Sequence, residues 1–112
     1  MFAMYRIASF LLIAAAACAA PIKVLIVDGQ NNHAWQQTTP VLKKILEDSG
    51  RFAVDVATTP PKGADMSPFH PNFSAYAVVL SNYNGDAWPD EVNRAFESWV
   101  KQGGGFRLCS RR

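Results

Sequence analysis

Two short segments of the 112-residue chain hold most of the side chains that could do chemistry. The first is DGQNNHAW at residues 28–35, and the second is SNYNGDAWP at residues 81–89. Both are rich in amides, which donate and accept hydrogen bonds, and both contain a Trp, whose indole offers a flat apolar face. These groups together suit a neutral polyhydroxylated ligand such as a sugar. The structural alternative is that Asn and Gly form turns while each Trp anchors its loop on the core.

The two histidines of the chain are His33, in the first segment, and His70. Either could join Asp28 or Asp65 in a metal site, but their spacing matches no standard zinc motif. The chain also lacks the G-x-S-x-G elbow, the Gly-rich phosphate loop and the H-E-x-x-H motif. We therefore expect no metal and no other cofactor, and no established catalytic motif is complete.

The elements that must position these segments alternate between strands and helices. The run IKVLIV at residues 22–27 is continuous and β-branched, which is typical of a central parallel strand covered on both faces. Thr39 and Pro40 have the pattern of an N-cap and first turn, and the apolar spacing that follows predicts a helix ending before Gly50. Alternating apolar residues at 52–56 predict a strand nearer the sheet edge.

The second half of the chain repeats this order after a proline-rich loop at residues 58–74. YAVVL at residues 76–80 predicts a second buried strand, and Pro89 opens an amphipathic helix. Strands that alternate with helices imply parallel pairing through right-handed crossovers, hence an open α/β sheet. Ligands bind outside the carboxyl ends of the strands in such sheets, which places both amide-rich segments at one edge.

Composition describes one small globular domain preceded by an apolar leader. The 49% hydrophobic and 18% charged residues exclude a disordered chain. Residues 1–20 have an early Arg6, an apolar stretch and small residues near Ala20, the layout of a secretory signal peptide. We expect an exported protein, periplasmic or secreted, with no membrane span after cleavage. An uncleaved anchor and lipidation at Cys18 are the alternatives.

The C-terminal residues 107–112 do not continue the strand–helix pattern. An apolar strand is expected after the triple glycine, yet RLCSRR carries three arginines. One permitted coding sequence for these residues, read one base later, encodes Val-Tyr-Val-His-Ala, so we predict a frameshift. The alternative is a short protein with a solvated basic end.

Residues 21–106 hold 7 Lys+Arg and 9 Asp+Glu, a net charge of −2, and no nucleic-acid partner is expected.

Residues 23–106 resemble the ThuA-like (trehalose-utilisation) family. The resemblance lies in N-H-x-W after the first strand, T-T-P-V-L on the helix, N-Y-N-G-x-x-W-P after the third strand and the triple glycine. It covers only the N-terminal half of that family's domain. The family implies a flavodoxin-like three-layer open parallel sheet, similar to class I glutamine amidotransferases. Its members continue after the glycines with a strand ending in His-Ala, so we predict a sheet truncated after the third strand and second helix.

The resemblance also implies a site and a function. It assigns substrate binding to Asn32 and Trp35 in the first segment, with His33 as the acid or base. In the second segment it assigns substrate binding to Asn82, Tyr83, Asn84, Gly85 and Trp88. The implied function is linked to trehalose or related sugars, with a small-molecule sugar as partner and the oligomeric state open. The truncation argues against activity, so the alternative is a non-catalytic carbohydrate-binding remnant or a fragment without function.

Overall fold

The computed structural model of the protein describes residues 19–109. Apart from Ala19 and Ala20, the predicted signal peptide lies outside the described residues, as do Cys18 and residues 110–112. The elements follow in the order β1 (Ile22–Asp28), α1 (Trp35–Asp48), β2 (Phe52–Thr58), a 3₁₀ turn (Phe73–Ala75), β3 (Val78–Ser81), α2 (Asp90–Lys101) and β4 (Gly105–Leu108). No helix within residues 19–109 has both the length and the apolarity to cross a membrane.

The four strands form one parallel sheet in the order β2-β1-β3-β4. Strand β1 is central and pairs with β2 on one side and β3 on the other. Helix α1 packs over β1 and β2, while α2 and the 3₁₀ turn lie on the opposite face. The predicted open, three-layer α/β sheet is therefore confirmed, and its strand order is that of flavodoxin-like folds.

The core is divided between the two faces of the sheet because successive side chains of a strand point in opposite directions. On β1, Val24 and Ile26 pack towards α1, whereas Leu25 and Val27 pack towards α2. All four side chains are at most 2% exposed. Burial on both faces explains why this strand reads as a continuous apolar run, and it confirms the predicted central position.

The predicted end of the sheet at the third strand is wrong. Residues Gly105–Leu108 form a fourth strand that pairs in parallel with β3, with Val79 opposite Phe106. The Phe106 ring meets Phe96 edge to face at a centroid distance of 5.1 Å, while Leu108 remains 66% exposed. An edge strand is held by backbone hydrogen bonds on one side, so it can form without the buried apolar run that a central strand requires.

The predicted start of the first helix is also wrong. Helix α1 begins at Trp35, and Pro40 lies inside it. A proline in a helix cannot donate to the carbonyl four residues earlier, here that of Gln36. Gln36 is exposed, so water can solvate that carbonyl. The Thr39 side chain is buried and accepts a hydrogen bond from Asn82, which gives it a tertiary partner instead of a capping role.

Candidate functional site at the carboxyl edge of the sheet

The loops after β1, β2 and β3 meet at the carboxyl edge of the sheet and enclose a cavity of about 860 Å³. Because β1 and β3 are neighbours whose following helices lie on opposite faces, the connections diverge there and leave a crevice. We call it the large cavity. Its lining comprises Gly29, Gln30, Asn31 and Asn32 after β1, Trp35 and Gln36 on α1, Thr58 at the end of β2, Thr59, Pro61 and Lys62 after β2, and Asn84, Gly85 and Asp86 after β3.

The lining of the large cavity is mostly neutral and able to form hydrogen bonds. Five amide side chains and two threonine hydroxyls line it, and its charged residues among those described are Lys62 and Asp86. The half-buried indole of Trp35 provides its large apolar surface. Amides and hydroxyls beside an indole can bind the hydroxyl groups and the apolar face of a compact polar molecule.

The turn after β1 is built around one buried carboxylate and one glycine. Asp28 is 2% exposed, and its Oδ1 accepts a hydrogen bond of 2.6 Å from the Thr58 hydroxyl. Gly29 has a φ of +116°, and a side chain there would also overlap Thr59. The Asp28–Thr58 hydrogen bond therefore joins the ends of β1 and β2. Glycine is required at position 29, because other residues rarely adopt this φ and a Cβ would overlap Thr59.

A smaller cavity of about 270 Å³ adjoins the same loops, and it contains His33. Its lining residues are Asn31, Asn32, His33, Tyr83, Asn84, Leu108 and Cys109. Asn31, Asn32 and Asn84 line both cavities, so one wall of amides separates an indole on one side from an imidazole on the other. His33 itself is exposed.

The two histidines do not share a cavity. His70 is exposed, its Nδ1 lies 3.0 Å from the Pro68 carbonyl oxygen, and it borders a different depression beside Phe69. Among residues 19–109, no group of three or more His, Cys, Asp or Glu side chains is placed to hold a metal ion.

Asn82 lies inside the protein and not on the wall of either cavity. It is 3% exposed, and its Nδ2 donates to the hydroxyl oxygens of Thr38 and Thr39, both at 3.0 Å. Its Oδ1 accepts from Asn31 Nδ2 at 3.3 Å. These bonds tie the end of β3 to α1 and to the loop after β1, so the structure gives this amide a full set of protein partners.

Trp88 is also separated from the cavities. Its ring packs against Phe69, Phe73, Tyr83 and Phe96, with centroid distances between 5.4 and 6.2 Å. Its Nε1 is buried and has no hydrogen-bond partner among the described residues. The indole therefore forms part of the aromatic core beneath α2, as the structural alternative for this segment supposed.

Tyr83 lies between the smaller cavity, which it lines, and the aromatic core, where its ring packs against Trp88. Its hydroxyl donates a hydrogen bond of 2.6 Å to the Asp86 carbonyl oxygen. Burial, and secondarily the negative charge of Asp86, raise the pKa of Tyr83 above its ordinary value of 10.0. The Thr59 hydroxyl opposes this rise slightly, although Thr59 Oγ1 makes no hydrogen bond of standard geometry within the described residues. Tyr83 is thus a neutral hydrogen-bonding group near neutral pH.

Several cavity residues were not among the predicted ones. Gln30 and Asn31 belong to the first amide-rich segment and could have been included on composition alone. Thr59 and Lys62 follow β2, whose position nearer the edge gave no reason to include its loop. Asp86 is contributed by the second segment, in the turn beside Gly85. Predicting these residues would have required the strand order, because β2 and β3 flank β1 and their following loops therefore line the same cavity.

No protein-family model matches the chain, and no curated protein matches it either. Among solved structures, it is similar to the crystal structure of a protein from Parabacteroides merdae described as ThuA-like. The two share 53% sequence identity with a TM-score of 0.78, over 80% of this chain and 32% of that one. The predicted resemblance to the ThuA-like family is therefore confirmed, and the chain spans about a third of that relative's length.

Proposed function

We propose that the chain is an exported ThuA-like protein whose large cavity binds a neutral sugar, trehalose or a related compound. The observation that carries this proposal is the cavity itself, with amides and hydroxyls on its walls and the Trp35 indole at its edge. Its volume of about 860 Å³ is within the range of small-molecule sites, roughly 300–1,000 Å³. The charged lining residues are one Lys and one Asp, which are fewer basic groups than the clusters that usually hold phosphates, so the lining favours hydroxyl groups.

His33 is the residue that we propose as acid or base if the sugar is turned over. Asn31, Asn32 and Asn84 border both cavities, so a ligand held by these amides would extend towards the imidazole. Histidine is suited to this role because its ordinary pKa of about 6.5 lets it exchange a proton near neutral pH.

The alternative is a non-catalytic carbohydrate-binding protein that uses the same cavity. The exposure of His33 favours this alternative, since a general base works best when neighbouring groups orient its ring and water is excluded.

Calorimetric titration of the full chain with trehalose tests the proposal, with glycerol as a small polyol control. We expect saturable binding of the disaccharide and none of the polyol. Asn84→Ala should weaken binding, whereas Lys101→Ala, at the far end of α2, should leave it unchanged. Absence of binding to trehalose and to related disaccharides at millimolar concentration would remove the proposal.

Incubation with the sugar, followed by mass spectrometry of the products, separates the enzyme from the binding protein. If the chain is an enzyme, products should form with the unmodified chain and be absent with His33→Ala, while both bind the sugar. Binding without product would select the non-catalytic alternative.

Mass spectrometry of the exported protein tests the leader, because cleavage should leave Pro21 as the first residue.

A further inference from the structure

We propose that Gln30 is a positioning residue that holds the three loops of the large cavity in one arrangement, and that Gly85 provides the space it requires. Gln30 is 6% exposed although it is polar, which calls for hydrogen-bond partners inside the protein. The predicted change in sugar affinity rests on the proposed function. The arrangement of the loops does not, because amide resonances report it without a ligand.

Both ends of the Gln30 amide are occupied by backbone groups of different loops. Its Nε2 donates to the Pro60 carbonyl oxygen at 2.9 Å, in the loop after β2. Its Oε1 accepts from the Asp86 N–H at 2.8 Å, in the loop after β3. The Gln30 backbone carbonyl also accepts from the Asn84 N–H at 2.9 Å. One residue after β1 therefore connects all three loops that line the cavity.

The chemistry of these partners requires an amide. The Pro60 carbonyl can only accept a hydrogen bond, and the Asp86 N–H can only donate one. A carboxylate at position 30 would satisfy Asp86 but would place an acceptor against the Pro60 oxygen. An apolar side chain of similar size would leave both part-buried backbone groups without this partner, and the loss of both hydrogen bonds would release the two loops.

Gly85 is needed because the Gln30 side chain occupies the space where a Cβ would stand. A Cβ at position 85 would lie 2.5 Å from Gln30 Cβ and 2.9 Å from Gln30 Cδ, both closer than real Cβ atoms approach. The φ of Gly85 is not positive, so backbone conformation does not explain the glycine. The resemblance assigned Gly85 to substrate binding, and Gly85 does line the large cavity; the geometry adds a steric match with Gln30.

The first test uses Gln30→Glu at two pH values, about 4.5 and about 7.5. Burial beside the Pro60 carbonyl should raise the pKa of the new carboxyl, so at the lower pH its O–H can donate to Pro60 as the amide does. We expect the Asp86 amide to resonate as in the unmodified chain at low pH and to shift at high pH. Sugar affinity relative to the unmodified chain should fall at least tenfold at the higher pH and recover at the lower one.

Two results would overturn this assignment. One is an Asp86 amide and a sugar affinity that match the unmodified chain at both pH values. The other is an equal loss at both, because a carboxyl and a carboxylate would then behave alike. A merely structural residue would not give a loss that reverses with protonation of this one group.

The second test compares Gly85→Ala alone with Gly85→Ala in a Gln30→Gly background. Gly85→Ala alone should shift the Asn84 and Asp86 amides, whereas in the double variant it should add little to the effect of Gln30→Gly. Equal effects in both backgrounds would overturn the steric match. If the amide results follow this pattern while no sugar binds the unmodified chain, the proposed function fails and the role of Gln30 stands.

Discussion

The two amide-rich segments have similar compositions, yet their tryptophans lie in different environments. Trp35 begins α1 and lines the large cavity. Trp88 precedes α2 and packs among aromatic rings, two of which, Phe69 and Phe73, come from the connection between β2 and β3. Residue type alone was compatible with either environment for both residues. What distinguishes them is whether another part of the chain supplies aromatic partners beneath the segment.

The largest expected difference is in stability. Trp88→Ala should lower the free energy of unfolding by about 3 kcal/mol, because it removes a large, partly buried ring that packs against the aromatic core. Trp35→Ala should cost less than about 1 kcal/mol, since its side chain is a half-exposed part of the cavity wall. Urea denaturation followed by circular dichroism measures both values. Similar losses for the two variants would mean that the two indoles do not differ in structural role.

The same contrast should hold for two asparagines of the second segment. Asn82→Ala should lower the free energy of unfolding by about 2 kcal/mol, because it removes the amide partner of the buried Thr39 hydroxyl and one of the two acceptors of Asn31 Nδ2. Asn84→Ala should change it by no more than about 0.5 kcal/mol, since Asn84 is exposed. Thermal unfolding of both variants provides the measurement. A destabilised Asn84→Ala chain would contradict this division.

In ligand binding, the order of the two tryptophans should reverse. Under the proposed function, Trp35→Ala should weaken trehalose binding about tenfold, equivalent to about 1.4 kcal/mol, through loss of the apolar face in the cavity. Trp88→Phe keeps one aromatic ring against the core and removes the second ring with an N–H that has no partner among the described residues. Trp88 lines neither cavity, so this variant should bind the sugar normally. Titration calorimetry distinguishes the two. If Trp88→Phe bound the sugar more weakly while Trp35→Ala bound it with unchanged affinity, Trp88 and not Trp35 would be the ligand-binding tryptophan.

The smallest expected effect concerns Tyr83 at alkaline pH. Its pKa in the folded protein is raised above 10.0, so the fold favours the neutral phenol. The resulting stability is fully present below pH 10.0 and is lost as the pH rises through the folded-state pKa. Tyr83→Phe should therefore lose less stability than the unmodified chain as the pH rises through this range, measured by urea denaturation.

Tyr76→Phe is the matched control for this experiment. Burial and the hydrogen bond to Asp55 also raise the pKa of Tyr76, so this variant should reduce the alkaline loss by a separate contribution. The two effects should add in the double variant if the sites are independent. An alkaline loss in Tyr83→Phe identical to that of the unmodified chain would show that Tyr83 keeps its ordinary pKa in the fold.

The fold was largely predictable because its signals are local. A β-branched run uninterrupted by polar residues is compatible with a strand buried on both faces, and β1 occupies that position. The amphipathic spacing after Pro89 predicted the start of α2 to within a residue. The strand β4 was missed because an edge strand such as Gly105–Leu108 is held by backbone hydrogen bonds to β3, which leave little trace in residue type.

The candidate site was predictable as a location but not as a set of contacts. The alternation of strands and helices implied parallel pairing, and parallel pairing placed both amide-rich segments at one edge. Among their residues, Asn32, Trp35, Asn84 and Gly85 do line the large cavity, whereas Asn82 is buried and Trp88 packs, partly buried, against the aromatic core. A polar or aromatic residue in a loop has no periodicity that reports which way its side chain points.

The sequence by itself therefore determined the first three strands, the presence of both helices and the edge of the sheet at which polar loops collect, because hydrophobic periodicity is a property of neighbouring residues. The tertiary structure alone decided which polar groups face the cavity and which hold it together. The contact between Gln30 and Asp86 joins residues 56 positions apart, and it exists only because β1 and β3 lie side by side in the sheet. Contacts of this kind depend on strand order, which no local pattern records.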